Sequence, residues 1–589
     1  MHLAALTDSR SFVTTWLEGF ERALNGADGE AFGRLFREGG SWRDLLAFTG
    51  GIRQAHDRTA AVALFDEVMQ PPGRHSLQQV DRIRAESTTR FGMDLTEVFF
   101  DFVTEIGEGV GIARLMPSEN EPDVWEALTL LTTLQSLEKS TGRGVSISEA
   151  VRQDDRNWPV RRQAELEYAN DDPAVLVVGA GQSGLSTAAA LKAVGVDALV
   201  VDKWDRVGDT WRSRYQSLKL HSGLGINHLP FMPFPDFFPE YVPKDKVGSW
   251  FEAYADALEL NVWTSTLFLG ADHGETSRRW HARVERDGVV RNLYPRHIVM
   301  ATGVSGAPHI PELAGLDRFR GLTIHSSAYV DGNAFEGRRV LVVGTGTSAH
   351  DVAEDLCQHG ADVTMMQRSK TIIVSRDAAH TTLNGVYTSG LPTEVCDLIR
   401  LSSTYPMQRK WLPVLTAKIA EVDKDLLDGL KSAGFETHFG DGNMNIGYEY
   451  YRRGGGYYID IGCSGLIVEG KIKVVQARDV AGITETGISL NDGSSAEFDV
   501  VVLATGYKGI QNAVRQYFGD EIADRVGPVW GLNAEAEFNN IACQTAQQGL
   551  WFMAGGFPES RIFSRYLALQ IQAAEAGVRI HVAGRSGDL

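Results

Sequence analysis

Two stretches of this chain share one grammar: an apolar run, a glycine-rich turn, then a helix-forming run. The first reads AVLVV, GAGQSG, LSTAAALKAVG from residue 174, and the second VLVV, GTGTSA, HDVAEDLCQHG from residue 340. A strand that turns tightly into a helix and meets a further strand (ALVVD, then VTMMQR) is a βαβ unit. Two such units commit much of the chain to an α/β fold with parallel strands.

The turns have chemical content. Gly179, Gly181 and Gly184 fit G-x-G-x-x-G; Gly344, Gly346 and Ala349 fit the G-x-G-x-x-A variant. The first glycine allows the turn, the second lets a pyrophosphate approach, and the third small residue lets helix and strand pack closely. Gln182 and Ser183 in the first unit, and Thr347 and Ser348 in the second, start the helices whose amides would face the anion. Asp202 ends the next strand of the first unit, where a carboxylate accepts from ribose hydroxyls, and Lys203 follows it. The matching position in the second unit is Gln367, followed by Arg368 and Lys370. A missing carboxylate beside cations predicts a ribose 2′-phosphate, so the second nucleotide is expected to be NADP and the first to carry an unphosphorylated ribose. IVMATG (298–303) and VVVLATG (500–506) end alike, and would bring Thr302, Gly303, Thr505 and Gly506 close to bound dinucleotides.

A chain of 589 residues with 43% hydrophobic content holds several cores, and its net charge of −19 argues against nucleic acid or an anionic membrane as partner. No apolar run reaches the length of a membrane helix. The N-terminal stretch MHLAALTDSR lacks the look of a signal peptide, and four scattered cysteines suit a reducing compartment, so a cytoplasmic protein is expected. No cysteine pair has zinc or redox spacing, and no metal site is expected.

Between the two units, FRGLTIHSSAY places Phe319, Gly321, His325 and Tyr329 as F-x-G-x-x-x-H-x-x-x-Y. With the two turns, this resembles the fingerprint of single-component, FAD- and NADPH-dependent flavin monooxygenases. Tyr329 is followed by Val330, which departs from Baeyer–Villiger members and is closer to the flavin-containing N- and S-oxygenases and plant YUCCA-type enzymes. The likeness runs from about residue 172 to the end. It implies that G-D-T-W, with Thr210 and Trp211, and LKLHSG, with His221, lie against the flavin; Asp209 stands where the family usually has Gly. It also implies a returning segment, 550–573, in which Arg561 and Arg565 touch cofactor or substrate or are plain surface cations. His325 would couple the cofactor positions at a domain junction, with Tyr329 beside it, and these four form the catalytic candidates. The implied chemistry is hydride transfer from NADPH to FAD, reaction with O2 to a flavin C4a-(hydro)peroxide, and insertion of one oxygen atom into a small organic molecule. N- or S-oxygenation and oxidative decarboxylation of a 2-oxo acid remain alternatives. Rivals are an NADPH oxidase, a pyridine-nucleotide disulfide reductase and a non-catalytic ligand binder.

The remaining chain divides around this frame. Residues 1–137, with Phe12, Trp16, Phe20 and Leu24 on one helix face, are expected to form an α+β domain. SWRDLLAFTGGIRQAHDR (41–58) there resembles SnoaL-like cones, which implies a scaffold, a dimerisation surface or closure of a pocket; a homodimer is allowed. A polar linker spans 138–172, the FAD domain 173–333 and 499–589, and an NADPH domain with an insertion 334–498. Residues 416–435 read as one amphipathic helix, either a lid or a helix packed on its own domain.

Overall fold

The structure is a computed structural model that describes residues 9–69, 77–90, 92–137, 156–169, 171–274, 276–380 and 385–578. The expected linker lies largely outside the described residues, but a helix at Trp158–Glu167 leads into the first βαβ unit.

The N-terminal residues build helices α1 (Ser9–Gly26), α2 (Gly29–Arg34) and α3 (Arg58–Val68) against six strands. These are β1 (Phe36–Leu45), β2 (Ile52–Ala55), β3 (Leu77–Arg90), β4 (Met93–Thr104), β5 (Gly107–Pro117) and β6 (Trp125–Leu137), ordered β2-β1-β6-β5-β4-β3. Only the β1–β6 pairing is parallel. Alternation along the strands gives the sheet two characters. Phe100 meets Phe20 and Trp16 of α1 at ring distances of 5.5 and 6.3 Å, and Trp42 meets Phe32 at 5.1 Å. The opposite face carries Arg43, Glu97 and Arg114, and it is covered by later chain. Arg43 grips Glu537 through two bonds of 2.6 Å, and Arg114 donates to the carbonyls of Ile399 and Ser402, each at 3.1 Å. The sheet is therefore covered on one face by its own helices and, around Arg43, Glu97 and Arg114, on the other by the rest of the molecule.

The first βαβ unit belongs to a parallel sheet of five strands in the order 550–552, 297–300, 175–178, 198–201, 261–263. The second belongs to another, in the order 322–325, 500–503, 339–343, 362–367, 472–476. This corrects the boundaries expected at 334 and 499. The strand Val500–Leu503 pairs with Leu322–His325 and Arg339–Val343, so the chain re-enters the first sheet only at Leu550–Phe552. An apolar strand ending in A-T-G fits either sheet, and sequence alone does not show which neighbour it finds. The expected helix over 416–435 is also two helices, Tyr405–Val422 and Lys424–Ser432. They break at Asp423, whose carboxylate accepts from the Ser375 amide at 2.8 Å. The last helix, Phe557–Ala576, is buried along most of its length and packs on the first dinucleotide helix.

The aromatic face of the N-terminal sheet sets a testable cost. Phe100→Ala removes a fully buried ring from between α1 and the sheet, and should destabilise this unit by about 3–5 kcal/mol. Hydrogen exchange of the 93–137 amides checks this, with protection in the two parallel sheets retained.

Candidate functional site

The two glycine turns have the same geometry. Gly179 and Gly344 adopt φ of +108° and +121°, a region that side chains rarely enter. A Cβ on either would stand 2.7 Å from the Ala301 carbonyl or 2.4 Å from that of Ala504. The two A-T-G segments are thus the floors on which the turns rest. A Cβ on Gly184 would lie 1.8 Å from the Gly179 carbonyl oxygen, while Ala349 is accommodated and buried. Gly181 and Gly346 differ from these. They are the N-caps of helices Gln182–Ala193 and Thr347–Gln358, neither helix has a side-chain cap, and a Cβ would meet nothing within 4 Å at Gly346 and only Thr210 Cγ2, at 4.0 Å, at Gly181. Uncapped first-turn amides facing open space fit a dinucleotide phosphate in both units.

Neighbouring candidates are placed by other elements. Gln182 Nε2 donates to the Gly555 carbonyl at 3.1 Å and the Ser183 hydroxyl meets that of Ser560 at 3.0 Å, which fixes the turn to the C-terminal helix. Asp202 accepts from the Ala180 and Trp204 amides, so its carboxylate is oriented by the turn it serves. Burial pushes its pKa up, against those two hydrogen bonds. Lys203 is exposed above the Trp204 ring. In the second unit Gln367 is buried and exchanges hydrogen bonds with the Glu436 backbone, which occupies the carboxylate's usual position with a structural role. Arg368 and Lys370 remain exposed beside it. The Thr347 hydroxyl donates to Tyr457, Ser348 lies in the same first turn, and Thr505 donates to the His309 carbonyl. Thr302 is exposed and Gly303 half-buried at the end of the first A-T-G strand, as Gly506 is exposed at the end of the second.

The F-x-G-x-x-x-H-x-x-x-Y motif is a joint. A Cβ on Gly321 would meet the Phe319 ring and the Asp499 carbonyl at 2.5 Å, so the glycine seats the ring. Ser327 N–H donates to His325 Nδ1 at 3.1 Å, which leaves the proton on Nε2 to reach the Gly506 carbonyl at 3.1 Å. Burial lowers the imidazole pKa, with the Gly506 bond opposing, and the neutral ring ties the junction segment to the second A-T-G end. Tyr329 as a catalytic candidate is corrected. It is 2% exposed, stacks on Phe335 and donates to Asp355, so it belongs to the core of the second unit. His221 faces Asp351 of the second dinucleotide helix at 3.5 Å, and Tyr215 donates to the same carboxylate at 2.6 Å. The G-D-T-W segment forms a short helix, Asp209–Arg212, with Thr210 in its first turn. Gly208 takes φ +91° and Asp209 bonds Arg212 at 2.8 Å, so the unusual aspartate costs no backbone strain. Trp211 lies against Phe557.

The two C-terminal arginines differ: Arg565 lies on the surface, as one of the two expectations had it, and Arg561 is neither a surface cation nor part of the cavity lining. Arg561 is buried, grips Asp397 at 2.6 and 2.8 Å, and donates to the carbonyls of Ile226 and His228. It bolts the C-terminal helix to the insertion. Arg565 is exposed and reaches the Gln135 carbonyl on β6 at 3.3 Å. The cavity beside them has different cations. It has a volume of about 570 Å³ and begins at Gln182, Trp211, Ser222 and Gly556, next to the first turn. Its lining includes the aromatic Tyr387, Tyr448, Tyr450, Tyr451 and Phe538, and the polar Arg400 with the N-terminal Arg43, Gln54, Arg90 and Arg114. Arg400 donates to Glu559 at 2.8 Å and to the Tyr451 hydroxyl at 2.5 Å. Burial pushes the Tyr450 and Tyr451 phenols up, so both stay protonated. The aromatic run GYEYYRRGGGYY (447–458) signalled this wall in the sequence. No local pattern signalled the N-terminal arginines, because they arrive from strands far away in the chain.

Residues 173–511 match the family described as FMO-like, flavin-binding monooxygenase-like. Indole-3-pyruvate monooxygenase YUCCA1 of Oryza sativa subsp. japonica is 34% identical over 340 residues, covering 57% of this chain and 77% of that protein. Probable indole-3-pyruvate monooxygenase YUCCA4 of Arabidopsis thaliana is 34% identical over 342 residues, covering 57% and 76%. Among solved structures, OTEMO in complex with FAD and NADP aligns with a TM-score of 0.51 at 16% identity, over 69% of this chain and 86% of that one. Oxidised steroid monooxygenase bound to NADP aligns with a TM-score of 0.50 at 20% identity, over 69% and 85%. These likenesses show a shared fold.

His350, in the first turns of the second dinucleotide helix, is fully buried, stacks on Tyr458 at 4.1 Å and bonds the Gly346 carbonyl at 3.1 Å. Burial lowers its pKa to about 4, so the folded protein takes up this proton later than the unfolded chain on acidification. Its stability contribution is therefore whole above pH ~6.5 and declines by roughly 3 kcal/mol on the way down to about pH 4. His350→Phe should flatten that limb of a urea-denaturation series between those pH values, read by tryptophan fluorescence.

Proposed function

The chain belongs to the flavin-binding monooxygenase-like family and is a flavin-dependent monooxygenase, and we propose that it uses NADPH and O2 to oxidise a small aromatic 2-oxo acid. The cavity next to the first turn carries this reading. Aromatic rings line it, which suit an aromatic body. Its four arginines, Arg43, Arg90, Arg114 and Arg400, face three glutamates, Glu97, Glu537 and Glu559, which leaves one positive charge for an anion. In the overall reaction the acid, O2, NADPH and one proton give the carboxylic acid one carbon shorter, CO2, NADP+ and water. The proposal rests also on the likeness to relatives that bear the name indole-3-pyruvate monooxygenase.

The residues divide the work. Bound FAD and NADPH supply hydride transfer and activation of oxygen. The open amides at Gly181 and Gly346 would hold the two pyrophosphates, and Asp202 the ribose of the first nucleotide. Arg368 and Lys370 would meet a 2′-phosphate in place of the carboxylate absent from position 367. The His325–Gly506 hydrogen bond keeps the junction between the two nucleotide sites in register. The aromatic wall excludes water, which matters for any reduced-oxygen chemistry prone to leak as peroxide. The buried phenols of Tyr450 and Tyr451 act as hydrogen-bond donors at neutral pH.

Purified holoprotein should consume NADPH with phenylpyruvate and release phenylacetate and CO2 in equal amounts, with little H2O2. NADPH consumption that yields one H2O2 whatever the acid added would make it an oxidase, and preference for an amine or thioether would replace the 2-oxo acid. In the same assay, Arg368→Ala with Lys370→Ala should narrow the preference for NADPH over NADH by about tenfold or more.

A further inference from the structure

The region shared with the flavin monooxygenase family starts at residue 173, yet part of the cavity wall comes from strands that precede it. Resting on the reading of an anionic aromatic substrate, we propose that Arg90 of the N-terminal sheet is the residue that binds the substrate's carboxylate, so that this fused unit sets the specificity of the catalytic cavity.

Each cation in the wall has a different degree of freedom. Arg43 is matched by Glu537 through two hydrogen bonds and also donates to the Leu401 carbonyl. Arg400 is matched by Glu559 and Tyr451. Arg114 spends its Nε on Glu97 and both terminal nitrogens on the 399–403 backbone and its neighbours. Arg90 uses only one edge. Its Nε and Nη2 meet Glu97 at 3.2 and 2.9 Å, and its Nη1 has no partner among the described residues. Among the described residues, Glu97 is the only carboxylate that pairs with Arg90 or Arg114. The two guanidinia hold its pKa down against the cost of burial, so it carries one negative charge against two positive ones.

The positions fit the role. Arg114 and Glu97 are 1% and 3% exposed, a buried foundation, while Arg90 is 27% exposed and lines the cavity. A guanidinium with one edge fixed on a carboxylate and the other edge free is oriented without losing its donors to a second carboxylate. The surplus charge sits in a concave site beside the nearly fully buried Arg114 and Glu97, where attraction for an anion is stronger than in bulk water. The same cavity is lined by Gln182 of the first turn, by aromatic rings and by Arg90, so an aromatic acid bound in it has a ring surface and a cation within one enclosure.

The test is a titration of oxidised, flavin-loaded full-length protein with phenylpyruvate and with phenylacetone, a neutral molecule bearing the same ring, read by the perturbation of the flavin absorbance band. Arg90→Gln should weaken phenylpyruvate binding by about tenfold or more and change phenylacetone binding by less than about twofold. Arg90→Lys, which keeps the charge but not the two-edged fork, should recover only part of the loss, and the effect should shrink as salt is raised. Flavin content and hydrogen exchange of the N-terminal strands report whether each variant is folded. Phenylpyruvate that does not bind, that binds Arg90→Gln as tightly as the natural protein, or that weakens in step with phenylacetone overturns the proposal. Arg90-dependent binding without oxidation would instead remove the 2-oxo acid reaction and leave Arg90 as an anion site; oxidation indifferent to Arg90 would do the reverse.

Discussion

The two dinucleotide helices, Gln182–Ala193 and Thr347–Gln358, each begin at a glycine of the turn and have no side-chain cap. The amides of a helix's first turn need acceptors, and leaving them open is unfavourable unless something else supplies negative charge. Much of the architecture serves this condition. The parallel sheets deliver both helix starts to the carboxyl ends of their strands, where a ligand crevice forms. The A-T-G segments support the turns from below, with the Ala301 and Ala504 carbonyls so close that any Cβ at Gly179 or Gly344 would clash. Where the protein does fill a position next to such a turn, it uses groups from other elements: Gly555 and Ser560 in the first unit, and the Glu436 backbone and Tyr457 in the second. Each nucleotide site is therefore tied to a piece of chain distant in sequence.

The part of this design that depends on local spacing is legible in the sequence. The turns, the strands around them and the position of Asp202 follow from residues within one βαβ unit, where chain connectivity fixes geometry. The junction motif is half legible. The positions of Phe319, Gly321 and His325 make sense once Gly506 is known to lie opposite, but Tyr329, at the same kind of spacing, turns inward to Asp355. A tyrosine's spacing gives no sign of whether its hydroxyl faces a cavity or a buried carboxylate. Arg561 shows the same limit from the other side. The sequence places it in the segment that returns to the first sheet, and the structure shows that Asp397, from the insertion, claims it. Sheet membership of 500–503 was illegible for a related reason, because pairing partners of an all-apolar parallel strand are set by tertiary packing alone.

Ion pairs with little solvent exposure join the N-terminal unit, the insertion and the C-terminal part of the chain. Arg43–Glu537, Arg400–Glu559 and Arg561–Asp397 each join segments from different parts of the chain, at 2.6, 2.8 and 2.6 Å. Such pairs add little net stability, because removing both charges from water offsets their attraction. Breaking one is a different matter, since it strands a charge in a dry place. They therefore select one docked arrangement more than they strengthen it, and a charged face on the N-terminal sheet is what a docking surface of this kind requires. An all-apolar face would bind more loosely in register and would place no donor beside the cavity.

That trade fixes where selectivity can reside. A cation matched by its own carboxylate contributes shape and solubility to a wall but offers an incoming anion little, because the anion must compete with a partner already in place. The discriminating group must be one whose counter-charge is already shared. In this wall, Glu97 serves two guanidinia, and Arg114 is held by backbone carbonyls that cannot neutralise it. The field of the pair is left at the cavity surface, in a chain whose overall charge of −19 would repel an anion from almost everywhere else. A local positive site on an acidic protein is a stronger selector than the same site on a basic one, since few other positions compete for the ligand.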